Sequence, residues 1–124
     1  MLKIIDRIFG ALLLLGAVGH TIGTITMTPP MSQIFIWSLG ASLACFLLGA
    51  LNLVRAGRPD DKTLATITMA GTVCWALVAF AFGKSIGNLL DPRALMHMTV
   101  SVVLVIFCAI TLRGAPRSGQ SKAS

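Results

Sequence analysis

The chain has 124 residues, of which 56% are hydrophobic and only 11% are charged. Soluble domains carry about 25% charged residues, so this composition excludes an ordinary soluble globular protein. A net charge of +6 is compatible with nucleic-acid binding in a soluble protein, but here the basic residues flank apolar segments. We therefore expect an integral membrane protein, with membrane lipids around it and no nucleic acid among its partners.

Four apolar segments are long enough to cross a bilayer, which takes about 20 residues of helix. The segments run approximately over residues 4–26, 34–54, 63–83 and 94–112. Because the connections between them are short, successive helices should be antiparallel neighbours. The sequence thus predicts an all-α fold, a single four-helix transmembrane bundle over residues 1–112. A disordered cytoplasmic tail, rich in small and basic residues, is predicted for residues 113–124.

Basic residues divide unequally between the two sides of the predicted bundle. The side with both termini and the second loop carries eight of them: Lys3, Arg7, Arg55, Arg58, Lys62, Arg113, Arg117 and Lys122. Only Lys84 and Arg93 lie on the other side. Since cytoplasmic loops carry an excess of Lys and Arg, this bias predicts an inner-membrane protein with both termini in the cytoplasm. The first apolar stretch is longer than that of a signal peptide, so we expect it to be retained.

Turn and cap signals mark the ends of the segments. Two consecutive prolines predict the end of the first helix and a short loop over residues 27–33. Asp60 or Asp61 is expected to cap the third helix, because a carboxylate there accepts hydrogen bonds from unpaired backbone N–H groups. Asp91 followed by Pro92 is typical of a helix start and predicts where the fourth helix begins.

Small and polar residues should mark the faces that pack together, because burying apolar surface gains little free energy in lipid. Such residues recur at intervals of three and four, which places them on one side of each helix. The predicted inward faces are Gly16, Gly19, His20, Gly23 and Thr24; Ser38, Ser42, Cys45, Gly49 and Asn52; Thr68, Thr72, Trp75 and Ala79; and His97, Ser101, Leu104, Cys108 and Thr111. The cysteines form no C-x-x-C motif and are expected to be packing residues.

The two histidines are the main candidates for chemistry in this chain. An ionisable side chain at membrane depth is costly, and it therefore usually has a functional role. Helical rise places His20 and His97 about 7–9 Å from the same end of the bundle, the outer-leaflet end. We predict that the two imidazoles converge there. The other residues expected to complete this site are Trp37, Ser38, Arg93, Ser101 and Thr24.

Three roles for this layer compete. The imidazoles could act only as interhelical contacts, hydrogen-bonded to hydroxyls such as those of Thr24 and Ser101. They could line a pocket for an amphipathic molecule, such as a quinone or a lipid, with one histidine donating a hydrogen bond. They could also be the axial ligands of a b-type haem. No nucleophile, metal-ligand set or phosphate loop accompanies the histidines, so we predict a binding protein without catalytic residues or a metal site.

The alternative is a non-catalytic accessory or assembly subunit of a larger membrane complex, or a homo-oligomer. Small residues on the predicted lipid face of the second helix, Gly40, Ala41 and Ala44, favour contacts with partner helices. A proton-driven exporter would need a carboxylate in the membrane core. The sequence predicts none there, because Asp6 is expected to pair with its neighbour Arg7 at the interface.

The chain has four short spans. The first contains residues 16–23 around His20, and the fourth begins at residues 91–93. This arrangement, with its cytoplasmic termini, resembles the small DoxX-like families of bacterial inner-membrane proteins. The resemblance covers the whole transmembrane region and is one of architecture. It implies a four-helix inner-membrane protein, and the association of some such families with quinone-linked respiration favours the quinone pocket.

Overall fold

A computed structural model of the protein describes residues 1–114, which form four helices. The helices are α1 (Leu2–Met27), α2 (Gln33–Gly57), α3 (Lys62–Ser85) and α4 (Pro92–Arg113), and the described part of the chain contains no strand. Each helix is long and apolar enough to cross a membrane, which confirms the all-α four-helix bundle of a multi-pass membrane protein. Of the predicted tail, residues 115–124 lie outside the described part.

The starts of α3 and α4 follow the cap signals in the sequence. Asp61 caps α3, where its side chain accepts a hydrogen bond from the backbone N–H of Leu64 at 2.8 Å. Asp91 caps α4 in the same way and accepts from the backbone N–H of Arg93 at 3.0 Å. Pro92 takes the first position of α4, where a missing N–H costs nothing. Both predicted helix starts are confirmed.

The bundle consists of two helical hairpins. α1 packs mainly against α2 and α3 against α4, whereas α1 and α4 share fewer contacts, as do α2 and α3. Within the first hairpin two glycines permit close approach: a Cβ added at Gly10 would lie 2.9 Å from the Leu53 side chain, and one added at Gly49 would lie 2.8 Å from that of Leu14. The sparser contact between the hairpins along α1 and α4 is here termed the α1–α4 seam.

The two ends of the bundle differ in charge. The first, which we term the basic end, carries the N-terminus, the α2–α3 connection over residues 58–61 and the end of α4. Its exposed basic residues are Lys3, Arg7, Arg58, Lys62 and Arg113. The second, the opposite end, carries the connections over residues 28–32 and 86–91, with Lys84 and Arg93. This asymmetry is the basis on which the basic end is predicted to face the cytoplasm.

All four helices contribute to one central core. Its buried members are Leu13, Ala17, Cys45, Trp75, Val100 and Leu104. The predicted inward faces of α2, α3 and α4 are confirmed, since their small and polar residues are buried or half-buried. Large apolar side chains such as Leu43, Leu77 and Ile106 remain exposed on the outside, as expected for a surface that meets lipid tails.

The predicted inward face of α1 is only partly right. Gly16 and Thr24 are buried, but Gly19 and His20 are exposed and Gly23 is half-buried. The residues that α1 buries are Asp6, Gly10, Leu13, Gly16, Ala17 and Thr24. Because α1 packs mainly on α2 and only sparsely on α4, part of the glycine-rich side that the prediction turned inward is left uncovered.

Candidate functional site

The ring of His97 is contacted from all three neighbouring helices. His97 lies half-buried on α4, and its Nδ1 accepts a hydrogen bond from the indole Nε1–H of Trp75 on α3 at 3.3 Å. The Sγ of Cys45 on α2 lies 3.9 Å from the same nitrogen. On α1, a Cβ added at Gly16 would lie 2.7 Å from His97 Cε1 and 3.3 Å from Nε2. His97 therefore joins the two hairpins, and Gly16 leaves the space that its ring requires.

The Trp75 hydrogen bond fixes which nitrogen of His97 carries the proton. An indole N–H can only donate, so Nδ1 is the acceptor and the neutral imidazole holds its proton on Nε2. The two rings meet edge to face, with their planes at 78° and their centroids 5.7 Å apart. No residue between positions 1 and 114 accepts a hydrogen bond from Nε2. His97 thus presents a donor N–H beside Gly16.

His97 Nε2 also differs from the polar atoms that are sealed inside the bundle. In the described residues, the buried side-chain atoms without a hydrogen-bond partner are Arg55 Nε, Thr68 Oγ1 and Ser101 Oγ. Nε2 is not one of them, although it too lacks a partner in the protein, so it keeps access to the surroundings.

His20 lies one helical turn beyond Gly16 on the same side of α1. Its ring is exposed, so the prediction that both histidines are turned into the bundle is wrong for His20. It nevertheless lies close enough to His97 and Arg93 for their charges to interact, and the backbone of Ser38 lies beside it. The two histidines therefore lie toward the same end of the bundle, His97 half-buried on α4 and His20 at the surface of α1.

Arg93 is held at the opposite end by its neighbour in the cap of α4. Its Nε lies 2.9 Å from Asp91 Oδ1 and its Nη2 lies 3.0 Å from Oδ2, and the guanidinium stacks 5.4 Å from the centre of the Phe82 ring. The side-chain hydrogen bond from Arg93 lowers the pKa of the Asp91 carboxyl to about 2. Arg93 is thus a largely exposed cation at the opposite end, paired with Asp91.

Three other predicted site residues have different surroundings from those expected. Trp37 is 72% exposed and turns away from the bundle interior. Ser38 is half-buried, and its carbonyl accepts a hydrogen bond from the Ser42 hydroxyl at 3.1 Å. Thr24 is buried, but its hydroxyl donates to the backbone carbonyl of His20 at 2.9 Å and not to an imidazole. Of the three, Ser38 is the one placed beside a histidine ring.

Ser101 corrects the predicted hydrogen bonding of His97. Ser101 is fully buried one turn further along α4, and its hydroxyl has no partner in the described part of the chain. The hydroxyl contact predicted for the imidazole is therefore wrong, because Trp75 takes that place. The sequence suggested Trp75 only as a packing residue, and the donor capacity of its indole was the signal that could have identified it.

A second polar cluster, which the sequence did not reveal, lies toward the basic end. Arg55 is fully buried on α2, and its guanidinium lies 2.5 Å from Asp6 on α1 and 3.1 Å from the Thr111 hydroxyl on α4. Asn52, one turn earlier on α2, lies 3.4 Å from Arg55 and donates to the Thr72 hydroxyl on α3 at 3.1 Å. We term these five residues the arginine layer, which connects all four helices.

The arginine layer overturns two predictions. Arg55 was counted among the basic residues at the membrane surface, and Asp6 was assigned to Arg7. Instead, α2 continues to Gly57 and buries Arg55, because the antiparallel α1 brings Asp6 to it as a counter-ion. The sequence contained a signal for the burial of Arg55. Arg55 follows Asn52 by three residues and therefore lies on the same inward face of α2. Asp6 is thus a buried carboxylate at the edge of the bundle.

Two cavities in the described part of the chain lie away from the histidines. A groove of about 260 Å³ lies between α1 and α2 and is lined mainly by apolar residues such as Ala17, Leu43 and Phe46. A larger cleft of about 770 Å³ opens at the basic end. Within residues 1–114 no group of three or more His, Cys, Asp or Glu side chains is arranged to hold a metal ion.

Comparisons with known proteins do not place the chain in a family. No protein-family model, no curated protein and no solved structure matches it. The resemblance to the DoxX-like families therefore rests on architecture alone, and the function must be argued from the site.

Proposed function

We propose that this protein is a small inner-membrane protein, with both termini in the cytoplasm, that binds an amphipathic molecule of the quinone class at His97 and His20. The observation that carries the proposal is the Nε2–H of His97, a hydrogen-bond donor without a protein partner among residues 1–114 but with access to the surroundings. A quinone carbonyl is a small neutral acceptor on an apolar molecule, which suits one such donor in a membrane.

The proposal gains support from the way the donor is held. Trp75 fixes the tautomer of His97, and Gly16 admits the ring, so the N–H is oriented before a ligand arrives. Preorganisation of this kind increases affinity because less side-chain freedom is lost on binding. Since the pairing leaves Nδ1 occupied, only one nitrogen of His97 is free to recognise a ligand.

The surroundings of His20 suit a flat polar head. An added Cβ at Gly19 or Gly23 would meet no atom within 4 Å, so α1 presents an open, low surface on either side of the exposed ring. His20 and the nearby positive charge of Arg93 supply further polar contacts at the opposite end. The hydrocarbon tail of the ligand would remain among the lipid chains.

A b-type haem suits the same residues less well. His97 would have to coordinate iron through Nε2, yet that atom lies 3.3 Å from where a Cβ at Gly16 would be, against the backbone of α1. A porphyrin is a large flat ring, so α1 and α4 would have to separate to admit one between Gly16 and His97. The residues present therefore do not fit a haem.

The two tryptophans of the chain allow a direct test. Trp37→Phe leaves Trp75, the partner of His97, as the only fluorescent indole. We expect a short-chain ubiquinone analogue to quench Trp75 saturably in detergent micelles, and His97→Phe in this background to weaken binding about tenfold, as the loss of about 1.4 kcal/mol would do. Cys74→Ala, an exposed change on α3, is the matched control and should leave the dissociation constant unchanged.

Two results would overturn the proposal. One is quenching that rises linearly with analogue concentration and never saturates, together with no quinone in lipid extracts of the purified protein. The other is saturable binding that His97→Phe leaves unaltered in a variant whose unfolding midpoint is unchanged. A Soret band in the visible spectrum that His20→Ala abolishes would assign the site to haem instead.

The second candidate is an accessory subunit in which the histidines serve as interhelical contacts. It is favoured by Gly40 and Ala44, which are exposed one turn apart on α2, where an added Cβ at Gly40 would meet nothing within 4 Å. Such pairs allow helices to approach closely in lipid. Gly40→Leu should then release the protein from a larger complex in native mass spectrometry, whereas Leu43→Val on the same helix should not.

A further inference from the structure

A cleft of about 770 Å³ opens at the basic end of the bundle, far from the histidines. Three residues of the arginine layer, Asp6, Arg55 and Thr111, line it. The N-terminal end of α1, the C-terminal end of α4 and the α2–α3 connection also contribute lining residues. The cleft therefore lies between the ends of all four helices at the basic end.

Positive charge dominates the cleft. Four cationic side chains line it against two carboxylates, those of Asp6 and Asp60. Asp6 is already paired with Arg55 at 2.5 Å, so the exposed cations at the rim face only one further carboxylate. These exposed cations are Lys3, Lys62 and Arg113. The cleft thus offers an uncompensated positive potential to an anion.

The same cleft has an apolar wall. Leu2 on α1 and Phe107 and Ile110 on α4 line it together with the charged residues. A small soluble anion would gain nothing from this wall, whereas an amphiphile would place its charge at the rim and its hydrocarbon along α4. Arg55 lies fully buried beneath the charged residues of the cleft, where Asp6 is its counter-ion.

We propose that this cleft binds the phosphodiester headgroup of an anionic phospholipid, with its acyl chains along the α1–α4 seam. Lys3, Lys62 and Arg113 hold the phosphate, and Phe107 and Ile110 contact the start of the chains. Basic pockets between transmembrane helices at the membrane surface are suited to anionic headgroups. The proposal is independent of a ligand at the histidines.

The chain itself supplies a competing occupant. Gly114 lines the cleft, and residues 115–124 follow it in the sequence. That segment contains Arg117 and Lys122 and no Asp or Glu, so it repeats the charge of the rim. Charge complementarity therefore favours a lipid over this segment.

Native mass spectrometry of the full chain tests the proposal with two triple variants that remove the same charge. One replaces the rim cations (Lys3→Gln, Lys62→Gln, Arg113→Gln), and the matched control replaces basic residues that do not line the cleft (Arg7→Gln, Arg58→Gln, Lys84→Gln). We expect the wild type to retain phosphatidylglycerol over phosphatidylcholine. The rim variant should lose at least about tenfold of this preference, and the control variant should keep it.

Other outcomes would overturn the proposal. Equal loss of the preference in both triple variants would mean that diffuse surface charge attracts the lipid. Equal retention of both lipids by the wild type would mean that there is no site. Binding of glycerol phosphate as tight as that of phosphatidylglycerol would assign the cleft to a soluble anion. Tighter lipid binding after truncation at Gly114 would identify residues 115–124 as the occupant.

Discussion

The indole of Trp75 donates a hydrogen bond to Nδ1 of His97 at 3.3 Å, and this pairing sets the tautomer of the half-buried imidazole. The bond joins α3 to α4, while the same ring contacts Gly16 on α1. A single side chain thus combines a structural junction with an available N–H group.

Replacing Trp75 by Phe should alter the protonation of His97. The variant keeps an aromatic ring but lacks the donor, so Nδ1 loses the partner that holds it deprotonated. Imidazole ¹⁵N chemical shifts at neutral pH should report the Nε2–H form in the wild type and a mixture of tautomers in Trp75→Phe. Trp37→Phe, which changes an exposed indole, should leave these shifts unaltered. A single unchanged tautomer in Trp75→Phe would show that the indole does not select it.

Gly16→Ala should destabilise the bundle by about 1–3 kcal/mol, the usual cost of overpacking. The new Cβ would lie 2.7 Å from the His97 ring, which is held by Trp75 and cannot easily shift. Gly19→Ala, where nothing lies within 4 Å, should be neutral or slightly stabilising, because alanine is the better helix former. Unfolding in mixed micelles measures both variants. Equal effects of the two substitutions would contradict the contact with His97.

Arg55→Met should cost about 3–5 kcal/mol, because Asp6 would remain buried without its counter-ion. The double variant Asp6→Leu, Arg55→Met should recover much of that loss, since it leaves no uncompensated charge. Arg7→Gln, which removes an exposed charge next to Asp6 in the sequence, serves as the control and should change stability by less than about 0.5 kcal/mol. A double variant no more stable than Arg55→Met would show that the pair is not the source of the effect.

The cap of α4 should weaken in acid. The pKa of Asp91 is lowered to about 2 in the folded protein, from an ordinary value of 3.8, chiefly by the hydrogen bond from the Arg93 side chain. A carboxyl with a lowered pKa stabilises the folded state above its unfolded pKa, and that contribution is lost as the pH falls through the folded value. Amide exchange at the start of α4 should therefore increase between about pH 4 and pH 2. Asp91→Asn should remove this pH dependence, and persistence of it would assign it to another group.

The spans and caps could be predicted because their signals are local. Hydropathy located all four helices. The carboxylates of Asp61 and Asp91 cap the starts of α3 and α4. The regular spacing of small residues also identified the buried side of α2, from Ser42 to Asn52. These features depend on neighbours within one helix, so one sequence is enough to find them.

The contacts between helices could not be predicted in the same way. Trp75 pairs with His97, and Asp6 pairs with Arg55, because of how far each helix is rotated and shifted against its neighbours. The exposure of His20 likewise follows from sparse packing between α1 and α4, which no spacing within α1 reveals. For the arginine layer, the sequence contained one indication: Arg55 is a charged residue that continues the predicted inward face of α2.

The division of the bundle into two hairpins has a consequence for biogenesis. Each hairpin brings its own extensive internal packing, whereas the polar contacts between the hairpins include those of His97, Asn52 and Arg55. We therefore expect the two hairpins to insert into the membrane one after the other and to pack together afterwards. The polar contacts between them should form only when the hairpins pack correctly. Two separately expressed fragments, divided within residues 58–61, should then reconstitute the whole, and they should fail to do so once Arg55 has lost its charge.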